Sequence, residues 1–293
     1  MLQFLFIVNN GSGTNQSTSW NNVINDFFIG KDETFKIYNL PEKIETRQIK
    51  DHIVKEQPVN VIAVGGDGTV SMLANMLAGS NIALGILPAG SANGMARELG
   101  IPENPQDALK IIVEAKIKHC DLIRINGNKY SLHLSDIGLN AQLIKYFDEG
   151  KLRGKLGYAL VILKTLWHKE KMQVIIKTKD VEVRRNAFMV VLANATKYGT
   201  GAVINPHGNL EDGLFEVIII RKLALGSLLK MLLKPGIFNP KKIEIIPSTS
   251  AVITMVKKTH FQIDGEYQGE ISKVNAEICE GILKIIEPSI PSK

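Results

Sequence analysis

Cysteine is scarce: the 293 residues hold two, Cys120 and Cys279, far apart in the chain. That excludes a disulfide-held scaffold and a cysteine-rich zinc module, and it fits a reducing, cytoplasmic setting. Long apolar runs are missing too. No stretch reaches the roughly eighteen residues of a spanning helix; residues 157–167 come closest, and Lys164 interrupts them. The apolar run directly after Met1 ends at Asn9 and Asn10, so no secretory leader is expected. The six histidines contain no His-x-x-x-His pair, neither cysteine sits in a partner motif, and no Gly-x-Ser-x-Gly elbow occurs. These histidines and cysteines are expected in ordinary surface or core roles. Internal repeats, low-complexity tracts and aromatic-rich basic motifs are absent as well, so nucleic acid is not an expected partner.

What is present is an ordinary globular composition, 45% hydrophobic and 22% charged. The length suggests two domains or one large one, with a core that needs no staples. The charge is uneven. Residues 1–120 carry 10 basic and 12 acidic side chains, net −2, and residues 121–293 carry 25 and 17, net +8. A basic second half favours an anionic partner such as a membrane surface or a phosphorylated ligand; a solubilising surface is the plain alternative.

The first 120 residues alternate between strand-like and helix-like runs. Strands are expected at residues 3–8, 34–38, 59–64 and 82–87. Helices are expected around 17–28, 44–55, from Val70 to a stop at Gly79, and around 91–99. Val70, Leu73, Ala74 and Leu77 mark one buried helical face. This alternation predicts an α/β domain with a parallel sheet. The second half reads as many short strands: 122–125 and 129–134 around a two-residue Asn126–Gly127 turn, then 174–177, 181–183, 187–193, 214–220, 243–246, 251–255, 261–263, 274–278 and 282–286. Helix candidates at 139–168 and 223–233 interrupt them. The pattern predicts a mostly antiparallel sandwich or barrel, with the boundary near residue 120.

Three loops carry the sharpest signals. Gly65, Gly66, Asp67, Gly68 and Thr69 lie between a buried strand and a helix. Glycines there let the backbone bend sharply and approach a ligand, and the free N–H groups of the following helix start make an anion site. Asp67 suits a cation, a sugar hydroxyl or a proton; a plain helix cap is the bland reading. Asn9, Asn10, Gly11, Ser12, Gly13 and Thr14 follow the first strand and fit neither the dinucleotide fingerprint nor a Walker A loop. Residues 87–94, with Gly90, Ser91 and Asn93, follow the fourth. Loops at the carboxyl ends of parallel strands line one crevice, so the three read as one phosphate or nucleotide cradle. Farther on, Asn209, Asp212 and Leu214 frame an Asp-Gly turn that could also hold a hard cation. Asp264, Gly265 and Glu266 could be a turn, or could place a general base for a hydroxyl nucleophile.

Together, in this order and over nearly the whole chain, these motifs resemble the catalytic region of the diacylglycerol kinase and sphingosine kinase family of lipid kinases. Residues 65–69 match the family's Gly-Gly-Asp-Gly-Thr motif residue for residue, and residues 264–266 are its Asp-Gly-Glu motif. Residues 9–13, 88–93 and 204–215 are similar to its Asn-Pro-x-Ser-Gly, Pro-x-Gly-Thr/Ser-x-Asn and Pro-x-Ala-x-x-x-Asp-Gly-x-Leu stretches. The glycine motif is shared with NAD kinases and phosphofructokinases, and the later motifs make the match specific.

The resemblance implies an α/β N-terminal domain, residues 1–120, completed by a returning last strand within 282–293. It implies a β-sandwich acceptor domain over 121–281 and ATP in the cleft between them. It implies transfer of the γ-phosphate to a lipid hydroxyl, with Asn9, Asn10, Gly11, Ser12, Gly13, Gly65, Gly66, Asp67, Gly68, Thr69, Val70, Ser71, Ser91 and Asn93 at the nucleotide. Glu266 would accept the proton, with Asp67 and Asp264 supporting metal and phosphates. Asp212 and the carbonyls of Asn209 and Leu214 would hold Mg²⁺. Asn10 stands where the family usually has proline, Gly94 where it has aspartate, and Ser71–Met72 where it often has Asn-Glu.

A lipid substrate requires approach to a bilayer. The basic excess of residues 145–185 and 221–258 could supply it at about 1 kcal/mol per cation near an anionic surface. The expected partners are therefore ATP, a lipid with a free hydroxyl and a peripheral membrane surface, with a homodimer left open. Rival readings are a kinase for a soluble hydroxyl acceptor and a nucleotide-binding regulator without turnover. Loss of Glu266 or Asp67 would mark the latter, and both are present.

Overall fold

The computed structural model describes residues 2–11, 19–114, 116–148, 171–197, 203–221 and 243–289. The chain forms two compact units, Met1–Cys120 with Gly281–Lys293, and Asp121–Glu280.

In the first unit, β1 (Phe4–Val8), β3 (Asn60–Gly65) and β4 (Ala83–Pro88) are nearly continuous apolar runs, buried almost throughout. This is the pattern of parallel strands covered on both faces. With β2 (Phe35–Asn39) and the end of β14 (Glu266–Glu287), they form a parallel sheet in the order β14-β4-β3-β1-β2. Helix α1 (Trp20–Phe28) begins where the Ser19 hydroxyl accepts the Asn22 N–H. Helix α2 (Thr46–Glu56) ends at Gln57, whose φ of 46° breaks it ahead of Pro58. Helix α3 (Asp67–Leu77) buries Val70, Leu73, Ala74 and Leu77, as its spacing requires. Gly79, just beyond it, has φ +76° and donates its N–H to Ile282 O at 2.8 Å. A short α4 (Gly94–Glu98) follows β4. Helix α5 (Pro105–Glu114) was not anticipated from the sequence. Its signal was the Asn-Pro pair: Asn104 Oδ1 accepts the Gln106 and Asp107 N–H groups, and Pro105 fills the first helical position.

Among the described residues the second unit is antiparallel apart from one helix, α6 (Leu139–Asp148). Its strands are β5 (Lys116–Ile125), β6 (Lys129–Ser131), β7 (Leu134–Gly138), β8 (Met172–Thr178), β9 (Glu182–Ala187), β10 (Met189–Ala193), β11 (Phe215–Ile220), β12 (Ile243–Ser248), β13 (Ser250–Ile263) and β14. The chain enters this unit within β5 and leaves it within β14. β13 pairs with β8 through Ala251–Met255 and with β7 through Phe261–Ile263, so one strand serves both layers of the sandwich. Inward-facing Ile137, Ile176, Leu192, Phe215, Ile253 and Phe261 share the core between them.

Several expected boundaries differ. Residues 251–255 and 261–263 are one strand, because the polar run between them bulges away from β14 instead of ending the strand. Residues 274–278 and 282–286 are likewise parts of β14. Residues 129–134 break into β6 and β7 around Leu132 and His133, and residues 187–193 break at Phe188. The Asn126–Gly127 turn has three residues, not two, since Ile125 faces Lys129. The helix expected at 223–233 and most of that expected at 139–168 lie outside the described residues.

Candidate active site

The parallel register places Val8 beside Val64 and Gly65 beside Pro88. The loops after β1, β3 and β4 therefore leave from one edge. They are also joined to one another. Asn9 N–H donates to Val64 O at 2.9 Å, and Ala89 N–H to Gly65 O at 3.0 Å. The Asn9 side chain donates to Thr69 Oγ1 at 3.1 Å and accepts the Gly11 N–H at 3.1 Å; the Asn10 amide reaches Asn39 Oδ1. Ser12 and Gly13 lie outside the described residues.

Glycine is required where the loops cross. A Cβ on Gly90 would sit 2.4 Å from Gly66 Cα and 2.9 Å from Asn93 Oδ1, and one on Gly65 would sit 2.5 Å from Thr69 Oγ1. These glycines serve loop-to-loop packing first. Gly90→Ala is expected to lower the unfolding free energy by about 1–3 kcal/mol through overpacking, measured by urea denaturation; an unchanged midpoint would show that the loops separate freely.

Gly66 caps α3, and its carbonyl accepts the Thr69 and Val70 N–H groups, which leaves those of Asp67 and Gly68 without intrahelical acceptors at the same edge. Val70 points into the core and Ser71 is nearly buried, whereas Gly68 and Ser91 are exposed. Asp67 begins α3 but caps another helix: its two carboxylate oxygens accept the Gly94 and Met95 N–H groups at 3.0 Å each. Asn93, at φ 51°, closes the third loop by exchanging two hydrogen bonds with the Gly90 backbone.

In the second unit, β13 turns into β14 through Asp264 (φ 47°) and Gly265 (φ 90°), between paired Ile263 and Glu266. Two positive φ values in a two-residue loop give a type I′ turn, which explains Asp-Gly. The Asp264 carboxylate accepts from Ser131 Oγ at 2.8 Å and from the N–H groups of Leu132, His133 and Leu134 at 2.8, 3.0 and 3.1 Å. It therefore holds the segment between β6 and β7. Glu266, the first residue of β14, is exposed.

The loop before β11 is fixed by Asp121, a buried carboxylate that sequence reading missed. Asp121 Oδ2 accepts the Gly213 N–H at 2.7 Å, and Asp121 N–H donates to Leu210 O at 2.7 Å. Its signal was an aspartate between the apolar residues Cys120 and Leu122. Asn209 Oδ1 accepts the Glu211 N–H and Asp212 Oδ1 the Leu214 N–H, each at 3.1 Å. Asn209 and Asp212 are exposed, and the donor set, carboxylate and backbone carbonyls, is the hard oxygen type that suits Mg²⁺. Among the described residues no three His, Cys, Asp or Glu side chains gather as metal ligands, so a Mg²⁺ here would draw further ligands from water or phosphate.

Glu216, on β11, is 5% exposed and accepts from Asn205 Nδ2. Burial pushes its carboxyl above the usual carboxylate range, against the Asn205 hydrogen bond. The folded protein then binds the proton more tightly than the unfolded chain, and this contribution to stability is lost as pH rises through the raised pKa. Asn205 Oδ1 is buried without a partner. Glu216→Gln supplies an amide for it and is expected to gain about 1 kcal/mol at neutral pH and to flatten the pH dependence of Tm; a lower Tm at neutral pH would contradict this.

Residues 3–125 match the diacylglycerol kinase catalytic domain family, and residues 135–287, over half the chain, match the YegS C-terminal NAD kinase beta sandwich-like domain. The chain belongs to the diacylglycerol kinase and YegS-like lipid kinase family. A Chromohalobacter salexigens protein named probable lipid kinase YegS-like is 34% identical over 167 residues, 55% of this chain. That alignment spans about half of the relative's length, 53%. A Bacillus subtilis diacylglycerol kinase is 27% identical over 74% of this chain and 76% of its own. The structure of a Bacillus anthracis diacylglycerol kinase superposes with TM-score 0.76 at 20% identity, covering 99% of this chain and 98% of that one. An Archaeoglobus fulgidus NAD kinase in complex with ATP follows at TM-score 0.57 and 15% identity, covering 98% and 94%. These two likenesses speak for the fold alone.

For this lipid-kinase-family chain, the structure brings Asn9, Gly11, Gly65, Gly66, Asp67, Thr69, Gly90 and Asn93 onto one edge of the first unit. Asp67 and Asp264, the acids expected near the metal and phosphates, accept backbone N–H groups.

Proposed function

We propose that the protein is a lipid kinase that transfers the γ-phosphate of ATP to the hydroxyl of a lipid such as diacylglycerol or a sphingoid base. The observation that supports this most is the joined edge of the first unit, where the loops after β1, β3 and β4 meet at the N-terminal start of α3. In this reading Asn9, Asn10, Gly11, Ser12 and Gly13, the α3 start from Gly65 to Ser71, and Ser91 with Asn93 hold the triphosphate. The lipid oxygen forms a bond to the γ-phosphorus as the bond to the β-bridging oxygen breaks. Glu266 takes the hydroxyl proton, and ADP leaves. Asp67 and Asp264 act one step back, the first by fixing α4 and the second by fixing the turn that carries Glu266. Asp212, with the carbonyls of Asn209 and Leu214, would hold Mg²⁺, which would offset phosphate charge.

The lipid is reached from a membrane surface in the cytoplasm. Among the described residues no helix is long and apolar enough to cross a bilayer. The bulge in β13 exposes Val256 at 69% beside Lys257 and Lys258, and exposed Lys273 pairs with Thr254 just before it. An apolar side chain among cations is suited to an anionic surface.

The test is ATP consumption with a panel of lipids in anionic vesicles and with water-soluble alcohols. Turnover is expected with a hydroxyl-bearing lipid and is expected to rise with vesicle surface. Turnover only with a soluble acceptor would replace the lipid by that compound, and none with any acceptor would leave a nucleotide-binding regulator.

A further inference from the structure

The turn that carries Glu266 is held from a second side. Gln262 lies on β13, 1% exposed, directly opposite Asp136 on β7. Its Oε1 accepts the Gly265 N–H at 2.7 Å, and its Nε2 donates to Asp136 Oδ2. Asp136 is fully buried, and its carboxylate also accepts the Ala141 N–H at 3.0 Å and Asn140 Nδ2 at 2.6 Å, at the start of α6.

A backbone N–H only donates, so the Gly265 N–H admits only the oxygen end of a glutamine amide and leaves the nitrogen end to the Asp136 carboxylate. The amide therefore cannot flip, and its oxygen must face the turn. Gly265 N–H is thus tied to the core while Asp264, one residue earlier, is tied to residues 131–134. The Asp264–Gly265 peptide and the Asp264 side chain, which lead into Glu266, are both held in place.

We propose that Gln262 is a positioning residue for the Glu266 carboxylate, with Asp136 setting the direction of its amide. The inference rests on Glu266 acting as the proton acceptor. Gln262 touches neither substrate nor phosphate in this role; it narrows the directions in which the exposed carboxylate leaves the hairpin. A loss of about one ångström of placement suffices to slow a reaction by about 100-fold.

The test compares kcat and KM for ATP in the wild type, Gln262→Met, Glu266→Gln and the double variant. Gln262→Met keeps the length of the side chain and removes its hydrogen bonds to Asp136, Gly265 and Leu134. It is expected to lower kcat by roughly 10- to 100-fold and to leave KM for ATP within about twofold. The double variant is expected to be no slower than Glu266→Gln alone, because positioning matters only while there is a base to position. Multiplied losses in the double variant would mean that Gln262 acts on stability or elsewhere, and would overturn the proposal. So would wild-type turnover in Gln262→Met beside a disabled Glu266→Gln. Wild-type turnover in Glu266→Gln would remove the base reading and this inference with it.

Should Gln262→Met not fold, Gln262→Glu decides. Only its protonated form can donate to Asp136 and still accept from Gly265, so its kcat relative to wild type is expected to rise as pH falls. A flat ratio would overturn the proposal.

Discussion

Glu266→Gln is expected to reduce kcat by roughly 10²–10⁴-fold, the usual worth of a general base. The amide is nearly the same size but cannot take the hydroxyl proton. Because Glu266 is exposed at the first position of β14, the melting temperature is expected to stay close to that of the wild type. KM for ATP is also expected to hold. The groups assigned to the triphosphate are mainly backbone N–H groups of the first unit, whereas Glu266 belongs to the second. Steady-state kinetics with a vesicle-borne acceptor measures all three. Equal turnover in both proteins would take Glu266 out of the reaction, and a fall confined to KM would assign it to binding.

The largest effect on stability is expected at Asp264. Its carboxylate accepts from Ser131 Oγ and three consecutive backbone N–H groups in a buried part of the second unit. Removing it strands those donors, and Asp264→Ala is expected to cost about 3–5 kcal/mol. Part of that cost, about 1–2 kcal/mol, arises because alanine tolerates the left-handed φ of 47° poorly. Asp264→Asn separates the two terms. Asparagine accepts the backbone conformation but offers one oxygen and an NH₂ that faces other donors. It should therefore lose less than alanine and clearly more than zero. Urea denaturation reads both; wild-type stability in the asparagine variant would show that water satisfies residues 131–134 once the carboxylate is gone.

The glycine loops were legible because of what precedes them. Each follows a short apolar run that reads as a buried parallel strand, and such strands send their loops to one edge. Asp264–Gly265 was legible as a turn because Asp-Gly is the chemistry of a type I′ hairpin. The tasks of the aspartates were not legible. That Asp67 caps α4, or that Asp264 holds residues 131–134, depends on which backbone N–H groups the fold brings near, and no spacing encodes it. Asp121 and Glu216 were hidden for a related reason: each is a polar residue between apolar neighbours in a strand, where only burial reveals its importance. Short expected strands merged into β13 and β14 because exposed polar stretches such as residues 256–258 look like turns, while the backbone carries on through a bulge.

The parallel sheet of the first unit has an order of assembly that its finished form conceals. β4 is covered on one side by the end of β14, with Ala83 beside Lys284 and Leu84 beside Ile285. On the ribosome, β4 emerges long before that partner exists. At synthesis rates of about 5–20 residues per second, its apolar border waits roughly 10–40 s for the covering strand. During that interval the nascent chain presents an unpaired edge, the hazard that leads to aggregation, and a premature stop codon before Lys284 would make the exposure permanent.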